Sequence, residues 1–124
     1  MISAAAATVL ATILTFSQGE IEVYGLIVKL TTYPGMRDEM IRVLKESAVD
    51  IPGCLSYIVA ADSEDRNTIW VTEVWDSAAS HDASLSLPGV MSAIPQAKQI
   101  VMHFERVAVT RPVWGTGTHS AIGQ

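Results

Sequence analysis

Thr68-Ile69-Trp70-Val71-Thr72-Glu73-Val74-Trp75, followed directly by Asp76-Ser77 and then by His81, is the stretch from which the rest of this chain can be read. Its first eight residues are mostly β-branched or aromatic, the composition of a strand. Asp76-Ser77 supplies helix-starting side chains. Residues of a strand alternate between faces, so Glu73 and Trp75 share one side while Trp70 and Thr72 share the other. Indoles, a carboxylate and an imidazole one turn into the next helix thus reach one corner of a small protein. An apolar pocket with a few polar groups can form there.

Working outward, Val23 to Thr32 reads as a strand and Tyr33-Pro34-Gly35 breaks it. Met36, Met40, Val43, Leu44, Ala48 and Ile51 recur at helical spacing until Pro52-Gly53. Asp38–Arg42 and Arg42–Glu46 are i, i+4 opposite-charge pairs on the solvent side of that helix. Cys54 to Ala61 is a second strand. The polar loop Asp62 to Asn67 joins it to Thr68–Trp75, and the two strands make a hairpin. Ser77 to Leu87 reads as a helix ended by Pro88-Gly89. Val90 to Lys98 reads as a further short helix whose regularity Pro95 limits. Gln99 to Thr110 is the last strand.

The order β-α-β-β-α-β is the ferredoxin-like α+β arrangement, an antiparallel sheet with its helices on one face. Yet both faces of the second and third strands are apolar: Leu55, Tyr57 and Val59 alternate with Cys54, Ile58 and Ala60. A sheet with one wet face would alternate apolar with polar. The simplest cover for the second face is an identical sheet, and a homodimer is expected.

The totals agree with one domain. The chain has 124 residues, 49% of them hydrophobic and only 17% charged, which also favours apolar surface covered by a second chain. The net charge of -5 lacks the basic footprint that phosphate backbones require, so nucleic acid is not an expected partner. Cys54 is the single cysteine and is read as a small residue in a strand. His81, His103 and His119 show no metal-ligand spacing, so no metal is expected.

Met1 to Phe16 carries no charge. As a helix it would span about 24 Å, less than the roughly 30 Å hydrocarbon core, so no stable membrane span is expected. It also lacks the basic start of a signal peptide. Thr8, Thr12 and Thr15 form a polar stripe opposite Val9, Leu10, Ile13 and Leu14, the pattern of a helix packed on a protein surface. The chain is therefore divided into an apolar, helical extension (residues 1–22), the domain (23–110) and a tail (111–124) rich in glycine. A cytoplasmic location is expected, with a retained signal segment at residues 1–19 as the alternative.

The pieces Pro34-Gly35, Ile51-Pro52-Gly53-Cys54-Leu55-Ser56-Tyr57, Glu73-Val74-Trp75-Asp76-Ser77 and His81-Asp82-Ala83-Ser84-Leu85 resemble, in this order and spacing, the antibiotic biosynthesis monooxygenase (ABM) domain family, including its quinol-monooxygenase-like members. The resemblance covers about residues 23–110. It implies a dimeric α+β barrel with a small pocket between sheet and helices in each subunit. It further implies oxidation of a small aromatic phenol, anthrone or quinol by dioxygen, with no metal, flavin or haem. In that chemistry the substrate supplies the electrons, and the protein supplies a dry cavity, hydrogen bonds and a proton acceptor. Many relatives carry histidine where this chain has Ser84, and another where it has Gly89. Here the imidazole is His81, on the same helix face as Ser84 and one turn earlier. No histidine occurs between Gly89 and Gln96, where haem-degrading relatives place an iron ligand.

His81 is accordingly the candidate proton acceptor, since an ordinary imidazole, with a pKa of about 6.5, suits proton removal from an acidic phenol. The alternative is a surface histidine partnered by Asp82. Glu73 is the second catalytic candidate, orienting His81 or accepting from a substrate phenol; the alternative is an ion pair with Lys29 or Arg106. Trp75 could wall an aromatic substrate or be simple core. Tyr57, Asn67 and Ser84 complete the substrate-binding candidates, with Tyr57 alternatively packing and Asn67 alternatively a turn residue. Trp70 is expected at the dimer interface and His103 at the interface or the site. Two further function classes fit the same residues: a non-catalytic dimeric barrel holding a small hydrophobic ligand, and a small isomerase or lyase.

Overall fold

Thr68–Trp75 and Cys54–Ala61 are strands with the boundaries that their composition predicts. A computed structural model describes residues 22–117; the apolar run Met1–Phe16 and residues 118–124 lie outside it. The order is β1 (Tyr24–Thr32), α1 (Arg37–Ser47), β2 (Cys54–Ala61), β3 (Thr68–Trp75), α2 (Ala78–Ser84), α3 (Pro88–Ile100) and β4 (Val101–Thr110). The strands form one antiparallel sheet ordered β2-β3-β1-β4. This is the ferredoxin-like α+β fold.

One face of the sheet is the core. Leu26, Val28 and Leu30 of β1 lie beside Ile69 and Val71 of β3, with Val28 opposite Val71 and Leu30 opposite Ile69. Met40 and Val43 of α1 and Ile100 of α3 close over them. Each such side chain contributes about 1.5–3 kcal/mol when fully buried, so this layer is what holds helices to sheet.

The helices depart from expectation in instructive ways. Arg42 pairs with Glu46 and with Glu39 in place of Asp38, because three residues bring side chains as near as four on a helix. α1 stops at Ser47, short of Ile51. Asp50 adopts φ 50°, and Ile51 precedes a proline, which disfavours helical backbone. The helix expected over Ser77–Leu87 ends at Ser84, and α3 starts at Pro88 instead of Val90. Proline suits the first turn, where its missing N–H is no loss. α3 then runs through Pro95 to Ile100, so β4 starts at Val101 and not at Gln99. Pro95 deprives the Met91 carbonyl of its helical donor, but both residues are exposed and water can serve that oxygen.

Each end of β3 is fastened. At its close, the Asp76 N–H donates to the Gly53 carbonyl at 2.9 Å. Ser77 caps α2 by accepting from the Ser80 N–H at 3.1 Å. Gly53 has φ 82°, and a Cβ there would sit 2.5 Å from the Ser80 side chain and 2.8 Å from Asp76 Oδ1. At its start, the Arg37 guanidinium donates to the carbonyls of Asp62, Asp65 and Thr68. The Asp62 carboxylate accepts from the N–H groups of Asp65 and Glu64 and from the Trp70 indole at 2.8 Å. These bonds, led by that from Asp65, hold the Asp62 carboxyl down at about 2.

Among the described residues, no helix covers the opposite face of the sheet. Trp70 lies there under the Lys29 ammonium, 5.5 Å from its ring centre, and Ile58 is 58% exposed.

Gly53 and Gly35 allow a clean comparison, because both have φ near 80° but only Gly53 is crowded. Gly35→Ala is expected to cost about 1 kcal/mol, the backbone penalty alone. Gly53→Ala is expected to cost about 3 kcal/mol or more, because α2 must also move. Urea unfolding of both variants measures the difference; equal losses would show that α2 is not seated on Gly53.

Candidate functional site

Between the sheet and the helices lies a cavity of about 650 Å³. Its walls are mainly apolar, with Leu26, Val28 and Val71 from the sheet and Val43, Ala93 and Ala97 from the helices. The polar and charged side chains that reach it include Tyr57, Glu73, His81, Ser84, Lys98 and Arg106.

Glu73 arrives because β3 alternates and its register is fixed. It stands opposite Leu26 of β1 and Tyr57 of β2, on the core side. The Trp75 indole N–H donates to its Oε1 at 2.9 Å. Burial pushes the Glu73 carboxyl above its ordinary value, and this outweighs the downward pull of the Trp75 bond and of the charges on His81 and Arg106. The partner of Glu73 is therefore the neighbouring indole. Lys29 is on the other face, and no described ion pair joins Glu73 to Arg106.

His81 arrives because α2 starts immediately after Trp75 and is docked on Gly53. Its residue is only 9% exposed. The imidazole sits between Tyr24, at 5.5 Å between ring centres, and Trp75, edge-on at 5.4 Å. Nδ1 is 3.4 Å from the exposed Asp82 carboxylate. The ring is thus held mainly by two aromatic neighbours and lines the cavity with Trp75, which is itself 1% exposed. No described hydrogen bond links Glu73 to His81.

Tyr57 lies beside Glu73 through the β2–β3 pairing. Burial, then the Glu73 charge, then Cys54, push its phenol well above the ordinary value, so it stays protonated and can donate. No described residue hydrogen-bonds that hydroxyl. Ser84 lines the cavity but donates its own proton to the His81 carbonyl at 2.6 Å, so toward the cavity its oxygen can only accept. The Cys54 thiol is pushed up by burial and then by Glu73, which suits the structural role read for it.

Asn67 is not brought to the cavity. Its Oδ1 accepts from the Gly35 N–H at 3.2 Å and its carbonyl accepts from the Thr32 N–H, so it ties the hairpin loop to the end of β1. His103 of β4 pairs with Thr31 of β1 and does not line the cavity either. Sequence reasoning missed Tyr24, whose position over His81 follows from its pairing with Trp75, a register that no local pattern specifies. It also missed Lys98, and it weighed Arg106 only as a partner for Glu73. Among the described residues, no group of three or more His, Cys, Asp or Glu is placed to hold a metal ion. No described helix is long and apolar enough to cross a membrane.

Comparison with known proteins gives a consistent result. The family model described as antibiotic biosynthesis monooxygenase matches residues 23–96. A crystal structure from Chloroflexus aurantiacus J-10-fl, provisionally named an antibiotic biosynthesis monooxygenase, is 49% identical, with a TM-score of 0.74 over 77% of this chain and 97% of that one. A Nitrosomonas europaea protein with the same provisional name is 10% identical with a TM-score of 0.70, covering 77% of this chain and 95% of the other. SnoaB, a cofactor-independent oxygenase from Streptomyces nogalater, is 14% identical with a TM-score of 0.65, covering 77% and 98%. The last two are likenesses of fold. No curated protein matches the chain.

The raised carboxyl of Glu73 has a pH consequence. The folded protein holds this proton more tightly than the unfolded chain does. The resulting stabilisation is complete below the ordinary value of 4.5 and is lost as pH rises through the higher folded value. Glu73→Gln keeps an oxygen for the Trp75 N–H but cannot titrate. Urea unfolding from about pH 4 to about pH 7 should therefore show the variant gaining stability relative to the parent as pH rises. Parallel curves would mean that the carboxyl is not desolvated.

Proposed function

We propose that this chain, which belongs to the antibiotic biosynthesis monooxygenase family, is a cofactor-independent monooxygenase that oxidises a small aromatic phenol, anthrone or quinol with dioxygen. One observation carries the reading. A proton acceptor (His81), a phenol donor (Tyr57) and a carboxylate (Glu73) line one apolar cavity of about 650 Å³, enough for two or three fused rings.

The roles follow from the chemistry of the groups. His81 takes a proton from the substrate, leaving an electron-rich anion whose charge the Tyr57 hydroxyl stabilises by donating to its oxygen. Dioxygen accepts electrons from that anion and bonds to its carbon. Loss of water leaves a carbonyl, so that R₂CH₂ + O₂ gives R₂C=O + H₂O with all electrons drawn from the substrate. Trp75 walls the ring and holds Glu73. Glu73 lends negative charge that favours the imidazolium once His81 is protonated. The apolar walls keep water from competing for the reactive anion.

The working unit proposed is a homodimer closed over the bare face of the sheet. Ile58 at 58% exposed, Val107 at 44% and the half-buried Trp70 and Val74 support it, since an apolar face of this kind is normally covered. Ile58→Lys is expected to shift sedimentation equilibrium toward monomer. A parent protein that is monomeric at micromolar concentration would remove this part of the proposal.

Oxygen uptake with anthrone as the probe tests the chemistry. His81→Gln should lower kcat by about 100-fold or more with a much smaller change in KM. Full activity in that variant would remove His81 from the mechanism. Anthrone bound under air without oxygen consumption would favour a ligand-binding barrel, and a proton shift under nitrogen would favour an isomerase or lyase.

A further inference from the structure

The cavity holds two cations that the chemistry above does not use. Arg106 is on β4, the edge strand, and Lys98 is in the last turn of α3; both line the cavity and both are exposed at its open side. They share that rim with Met102 at 56% and Phe104 at 58% exposed. In a chain of net charge -5 this is a local reversal of sign. The described ion pairs engage Arg42, Arg111 and His81, and no described hydrogen bond is donated by the side chain of Arg106 or Lys98. Among the described residues, the one carboxylate lining the cavity, Glu73, bonds instead to Trp75.

Register gives the spacing. Glu73 pairs with Leu26 of β1, and Arg106 pairs with Val28 on the other side of the same strand, so both face the cavity with β1 between them. Two strand spacings across the sheet and two residues along β1 separate their backbones by about 12 Å. That is close to the length of a two- or three-ring aromatic skeleton. A ring system whose reacting carbon lies near His81 and Tyr57 would bring its far end to the guanidinium.

We infer that Arg106 is an anion-recognising residue at the mouth of this cavity, with Lys98 adding to the local positive field, and that the substrate is an aromatic acid: a phenol or quinol that also bears a carboxylate. A guanidinium is suited to this task because its planar fork donates two parallel N–H bonds to a carboxylate. This deepens the oxygenase reading and rests on it for the word substrate, but the recognition is tested by binding alone.

The probe is 6-hydroxy-2-naphthoate, whose hydroxyl and carboxylate lie at opposite ends of the ring system, against its methyl ester, which has nearly the same shape and no charge at neutral pH. Titration by quenching of tryptophan fluorescence gives both affinities. The parent should bind the acid about tenfold or more tightly than the ester, the usual scale for one charge-assisted contact. Arg106→Met should bring that ratio close to one, Arg106→Lys should retain part of it, and Lys98→Met should lower it by less. The ratio is read within each variant, so a general loss of stability does not imitate the effect. Equal affinities in the parent, or a preference unchanged in Arg106→Met, would overturn the inference, as would failure of both ligands to bind. An Arg106-dependent preference without oxygen uptake on anthrone would leave the acid site standing and remove the oxygenase. Anthrone turnover with no acid preference would do the reverse.

Discussion

Side chains of a strand alternate, so a one-residue slip of β3 against β1 would turn Glu73 and Trp75 out of the cavity and bring Trp70 and Thr72 in. The polar lining that β3 gives the cavity depends on that slip not happening. Two devices prevent it. At one end Arg37 binds three loop carbonyls while Asp62 gathers two backbone N–H groups and the Trp70 indole. At the other, the Asp76 N–H meets the Gly53 carbonyl, and the absent side chain of Gly53 admits α2. The same contact that fixes the end of β3 places His81 against Trp75. Fold and site are secured together.

The cost of this arrangement falls on Glu73. A carboxylate beside Leu26 and Val71 loses hydration, and one indole N–H at 2.9 Å offsets only part of that loss. Its raised pKa is the mark of the remainder. Tyr57, likewise held away from ionising by burial, remains a donor beside Glu73. Neighbouring groups with distinct proton roles in one apolar space are the arrangement expected where protons are moved.

How much could be read beforehand follows the range of the interaction involved. The period-two pattern of Thr68–Trp75 correctly divided Glu73 and Trp75 from Trp70, because alternation is a local property. Helix ends were less legible. Pro88 and Pro95 look alike in sequence, yet the first opens α3 and the second is carried inside it, since solvent at Met91 makes the lost hydrogen bond tolerable. Asn67 carried the residue type of a substrate contact, but its amide is taken by Gly35, a partner set by how the hairpin loop meets the end of β1. Tyr24 and Lys98 carried no signal, because their places beside His81 and at the cavity mouth depend on strand register and helix docking. Short-range rules therefore found the strands and the sides of β3, while the second layer of the site required the folded chain.

The family to which the chain belongs supports a monooxygenase-like chemistry, and the cavity is where we propose that it occurs. The central claim is that the register of β3 assigns one face of the sheet to a ligand and leaves the other for a second subunit. A crystal structure with 1-naphthol, a neutral ligand indifferent to Arg106, tests it most directly. The ring should lie in the cavity against Trp75, with its hydroxyl within hydrogen-bond distance of the His81 imidazole or the Tyr57 hydroxyl. A naphthol bound instead on the open face beside Trp70 and Ile58 would contradict the claim.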